Sequence, residues 1–128
     1  MASTAQVLKN RKQSTYVIKI EGNTADTTTI DASDANTNMP EDGTATLNRV
    51  MWTMASGEII VTWKGSGADA VACRLHGQGS WNLIQNPPVI ANNATTPTGD
   101  VTVVKGTASH YTIILEFGTG ALQETAAA

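Results

Sequence analysis

Residues 15–21 alternate with a period of two: Tyr16, Ile18 and Ile20 fall on one parity, and Thr15, Val17, Lys19 and Glu21 on the other. In an extended chain successive side chains point to opposite faces, so this pattern describes a strand with one face on a core and one toward water. The alternation recurs along the chain between Gly-, Asn- and Pro-rich punctuation, and no useful length of sequence carries the repeat of an amphipathic helix. That combination restricts the fold to an all-β, antiparallel sandwich or barrel-like domain.

Gly22 and Asn23 supply the first turn, and the β-branched Thr27, Thr28, Thr29 and Ile30 predict a second strand. Residues 31–43 are an Asn/Asp-rich loop containing Pro40, with nothing to pack a core, and form the longest loop and a candidate contact surface. The runs 47–54 and 58–63 are separated by Ala55, Ser56 and Gly57, a short link that suits a hairpin. Val50, Trp52 and Met54 share one parity and Ile59, Val61 and Trp63 another, which predicts Trp52 and Trp63 on the buried face. After a turn at 64–67, Val71, Cys73 and Leu75 alternate with Ala70, Ala72 and Arg74; Gly77 and Gly79 end that run, and 80–84 forms another. Pro87 and Pro88 forbid a central strand where they stand. Residues 91–100 read as loop, and 101–104 and 111–117 as a closing hairpin. The expected count is about seven or eight short strands.

These strands occupy residues 15–120, one β domain. Residues 1–14 are polar and bury little alone, so they read as an extended N-terminal arm that orders when a neighbouring subunit supplies the missing surface. Val7, Leu8, Lys9, Arg11 and Lys12 of this arm are candidate partner-binding residues. Residues 121–128 read as a loose Ala-rich tail.

At 128 residues and 13.4 kDa the chain holds a single core. The charged fraction of 15% and net charge of −3 give a weak field. About 25% charged residues is usual, and nucleic acid gripped through many phosphates is therefore not an expected partner. Cys73 is the only cysteine, which rules out an internal disulfide and fits synthesis in a reducing cytoplasm. The N-terminus has no apolar h-region, and no apolar run approaches the roughly 20 residues of a membrane helix, so neither export nor a membrane is expected.

Reactive constellations are scarce. His76 and His110 stand beside Gly or Ser at expected strand ends and read as solvated turn residues, without a triad around either. Cys73 and His76 have a metal-like spacing, but residues three apart on a strand point to opposite faces and no second pair completes a tetrahedron. Asp34, Asn36 and Asn38 match the opening of a calcium loop, which then fails at Met39 and Ala45. Gly65 and Gly67, like Gly77 and Gly79, lack the helix a phosphate loop needs. Asn93, Ala94 and Thr95 form a glycosylation acceptor pattern that carries little weight without a secretory signal. No catalytic residue, metal or cofactor is expected. Trp81, flanked by Asn82 and Gln85, is the one aromatic placed to stack on a sugar; with only 5% aromatic residues, a core or subunit contact is the favoured reading.

The opening segment from Met1 to Asn10, the run from Tyr16 to Gly22 and the stretch from Val50 to Trp63 resemble small virion structural proteins of tailed phages, especially those of marine and cyanobacterial hosts. The resemblance implies a capsid decoration, or cement, protein on the outer shell. Its partners would be the major capsid protein and copies of itself in a symmetric array, in a virion assembled in the host cytoplasm. A neck, tail or baseplate component fits the same composition, a carbohydrate-binding module is the rival from another class, and an enzyme is the weakest reading.

Overall fold

The computed structural model describes residues 4–11, 15–32, 44–83 and 89–119. Among these described residues seven strands occur in order: β1 (Thr4–Arg11), β2 (Thr15–Gly22), β3 (Asp26–Ile30), β4 (Ala45–Ala68), β5 (Ala70–Asn82), β6 (Thr95–Lys105) and β7 (Tyr111–Thr119). All pairings are antiparallel, along the path β1-β2-β7-β4-β6-β3, with β5 on the other edge of β4. The ends of the path, β1 and β3, approach within 8 Å between Cα atoms, so the sheet nearly closes on itself. The fold is all-β, as the alternation predicts.

The long strand β4 makes this closure. Its first part, Ala45 to Met54, pairs with β7, and its second part, Ile59 to Ala68, pairs with β6, while β5 follows both along the opposite edge. Between them the register shifts from Thr53 to Glu58 across Gly57, whose φ of 87° is open only to glycine at low cost. Residues 55–57 are therefore a bend within one strand and not the expected hairpin link. The reason is that β5 continues alongside on the far side of the bend, which a chain reversal there would forbid. The β4–β5 turn falls at Asp69, whose carboxylate accepts from Gly65 N–H at 3.0 Å and from Lys64 Nζ at 2.8 Å. Lys64 and Gly65 belong to β4, and the run expected over 80–84 continues β5 as far as Asn82. β6 likewise begins at Thr95, inside the expected loop.

The core lies between the two halves. Tyr16, Ile18 and Ile20 of β2 and Ile113, Leu115 and Phe117 of β7 face Ile59, Val61 and Trp63 of β4 and Val101 and Val103 of β6, all buried. Each large aliphatic side chain so placed contributes roughly 1.5–3 kcal/mol of transfer free energy. Trp63 meets Phe117 edge-on at 5.8 Å between centroids, joining the half of β4 that pairs with β6 to β7. On β5 the expected inward set is only partly inward. Cys73 and Leu75 are buried, but Val71 is 50% exposed because the register slips between Val61 and Thr62 and turns it outward.

The N-terminal expectation changes as well. β1 pairs with β2 from Thr4↔Glu21 to Arg11↔Thr15, so Val7, Leu8, Lys9 and Arg11 sit in an edge strand of the domain rather than in a free arm. The unpaired edge of β2 supplies a backbone ladder within the same chain, which apolar content alone does not reveal. Lys12, residues 33–43, Pro87 and Pro88, and the tail over 121–128 lie outside the described residues.

Candidate functional site

The outward parities of β2, β7, β4 and β5 form one continuous sheet face. Its register sets Val17, Glu116, Arg49 and Asn82 in one row, and Lys19, Ile114, Met51 and Ser80 in the next. Lys19 pairs with Glu21 at 3.5 Å, and Arg49 Nε lies 3.6 Å from Glu116 Oε2. The Arg49–Glu116 pair borders a groove of about 270 Å³ that is also lined by Val17, Met51, Ser80, Trp81, Asn82 and Ile114. Met51 is 50% exposed at its centre, an apolar side chain that the fold leaves uncovered.

Trp81 belongs to the opposite parity of β5, across from Val50, and is 38% exposed at the rim of the sheet. Its ring meets Trp52 at 5.2 Å between centroids and 71° between planes. Trp52 is half-buried against the core rather than inside it, contrary to expectation, because β5 opposite it carries Gly79, over which the indole lies. Trp52 Nε1 donates to the His76 carbonyl oxygen at 2.8 Å.

Of the sequence candidates, the structure brings only Trp81 to the groove. β1 lies next to β2, where Lys9 is in register with Val17, and the positions of Val7, Leu8 and Arg11 follow along the same edge strand. Arg49, Met51, Asn82, Ile114, Glu116 and Trp52 were not singled out by sequence reasoning. The available signal was an apolar residue on the polar parity of a strand, which Val17, Met51 and Ile114 share.

His76 lies within β5 and not at a strand end: its Nε2 is 3.1 Å from Glu58 Oε2, while Arg74 holds the other carboxylate oxygen at 3.3 Å. Cys73 is buried, so it and exposed His76 point to opposite faces. Burial without a stabilising partner pushes the Cys73 thiol up to about 12. His110 precedes β7 and lines a cleft of about 390 Å³ with Glu21, Met54 and Tyr111. Among the described residues no group of three or more His, Cys, Asp or Glu side chains converges to hold a metal, and no helix is long and apolar enough to cross a membrane.

No family model matches this sequence, and no curated protein matches it. Among solved structures, the chain is similar to a family 29 carbohydrate-binding module, with a TM-score of 0.53, 8% identity and 92% of each chain covered. A second family 29 module gives 0.51 at 7% identity, over 94% of this chain and 90% of that one. An uncharacterised double-stranded β-helix protein from Klebsiella pneumoniae gives 0.43 at 10% identity, over 93% of this chain and 78% of that one. At such identities the likeness to the family 29 modules is one of fold: an antiparallel β domain of this size and layout.

Proposed function

We propose that this chain is a non-catalytic binding domain and serves as a structural component of a tailed-phage particle, docking on the outer surface of the major capsid protein beside further copies of itself. The observation that carries the reading is Met51, half exposed between Ile114 and Ser80 on a sheet face bordered by the Arg49–Glu116 pair. An apolar centre with a polar rim, presented on a rigid sheet, suits burial against another protein surface. The weak overall charge argues against nucleic acid as the partner. The phage setting rests on the sequence resemblance.

The test is to add purified protein to capsids that lack it and locate it by electron microscopy, comparing the native chain with Met51→Asp. Symmetric occupancy of the shell that Met51→Asp reduces at least about tenfold is the expected result. Occupancy of the neck or tail alone would move the protein to that part of the particle, and absence of any binding would remove the reading.

A second reading, a carbohydrate-binding domain, is favoured by one specific observation. Exposed Trp81 of β5 and half-buried Trp52 of β4 meet edge-on to form an aromatic corner, on a fold similar to that of family 29 carbohydrate-binding modules.

A further inference from the structure

We propose that the corner between Trp52 and Trp81 is a stacking subsite for one pyranose ring of a neutral glycan; the proposal rests on the second reading above. A pyranose has an apolar C–H face and a rim of hydroxyls, so it needs a fixed aromatic plane with hydrogen-bonding groups at its border. Both are present. The Trp52 plane is held by its Nε1–H bond to the His76 carbonyl and by Gly79 beneath it, where a Cβ would stand 2.8 Å from Trp52 Cζ2. Trp81 rises beside it at 71°, with 38% of its surface exposed, making the second wall.

Gly77, which follows the His76 carbonyl that holds the indole nitrogen, faces open space, since a Cβ at that position would meet nothing within 4 Å. Among the described residues β5 pairs with β4 alone, so its outer edge presents backbone N–H and C=O groups to ligand hydroxyls. The adjacent charges are already engaged with one another, Glu58 with Arg74 and His76, which favours an uncharged ligand.

An added peptide strand is the competing occupant of such an edge. It needs a regular ladder, and β5 interrupts one twice: at the register slip beside Val71 and at Gly77, whose φ is 63°. A sugar needs only the local groups, so the geometry points to a glycan.

The full chain is titrated with neutral gluco-, manno- and galacto-hexasaccharides and with an extended Val/Thr peptide, following tryptophan fluorescence and heat. The expected result is binding of at least one hexasaccharide, weakened about tenfold or more by Trp81→Ala and by Gly77→Asn. Asn tolerates the left-handed backbone at position 77 while filling the open space, so this variant tests the site even where Trp81→Ala misfolds. Failure of every hexasaccharide at about 5 mM overturns both the subsite and the carbohydrate reading. Saccharide binding indifferent to Trp81→Ala and Gly77→Asn leaves that reading standing and overturns this subsite, as does binding of the peptide alone.

Discussion

The ammonium of Lys105 donates to the carbonyl oxygen of Ser56 at 2.8 Å, joining residues 49 apart in sequence at the bend of β4. Lys105 is only 1% exposed, also donates to the Thr107 carbonyl, and lies 5.8 Å from the centre of the Tyr111 ring. Ser109 Oγ–H donates to the same Ser56 oxygen at 2.8 Å and Ala55 N–H to the His110 oxygen at 3.0 Å, so the loop after β6 is fastened to the bend. This is the hinge about which the sheet folds over its core. Lys105→Met keeps the aliphatic stem but leaves the Thr107 carbonyl without that donor. Unfolding in urea should show a loss of about 1–3 kcal/mol with an unchanged m-value.

Burial draws the Lys105 ammonium below its ordinary value of 10.5. Between that lowered value and 10.5 the unfolded chain retains a proton that the folded chain has released, so this residue makes stability rise with pH in that window. The stability difference between the native chain and Lys105→Met should therefore grow as pH is raised toward 10.5. A difference independent of pH would show that folding leaves the amine's proton affinity unchanged.

Gly57 should not tolerate alanine. At its φ of 87° an L side chain is strained, and a Cβ would lie 2.8 Å from Thr107 Cβ and 2.9 Å from Lys105 Nζ. Gly57→Ala is expected to cost about 1–3 kcal/mol and to lower the melting midpoint by several degrees, readable by calorimetry.

Cys73 should be inert in the folded protein. With its thiol raised from 9.0 to about 12, almost no thiolate is present near neutral pH, and its side chain is buried. A chromogenic disulfide reagent should label it at least about a hundredfold more slowly than in denaturant. Between 9.0 and about 12 the folded state keeps a proton that the unfolded state has lost, so stability falls as pH rises. Cys73→Val should lack this fall.

The Arg49–Glu116 pair should matter to docking more than to folding. With Arg49 half exposed and a separation of 3.6 Å, a double-mutant cycle should return a coupling below about 1 kcal/mol in stability. Exchanging the two charges is expected to alter the association rate with a partner surface and its salt dependence. Identical rates across a range of ionic strength would remove this pair from the contact.

The strands were legible wherever period-two alternation is local. Tyr16, Ile18 and Ile20, and likewise Ile113, Leu115 and Phe117, are buried as their parity predicts. Legibility failed at interruptions. Val71 shares the parity of Cys73 and Leu75, yet the slip opposite Val61 and Thr62 turns it out; Trp52 shares the parity of Val50, yet Gly79 lets it lie over the rim. Gly57 and Gly77 resemble ordinary turn glycines in sequence, while in the fold they bend strands that continue.

By itself, then, the sequence determined that this chain is all-β, where most strands run, and most of the side chains that enter the core, because a side chain's face is set by its nearest neighbours along an extended backbone. Tertiary structure alone decided which strands pair, that residues 45–68 form one bent strand, that residues 4–11 close an edge, and that Met51 and Trp81 remain accessible. Pairing and accessibility depend on groups far apart in the chain, whose contacts carry no local periodic signature.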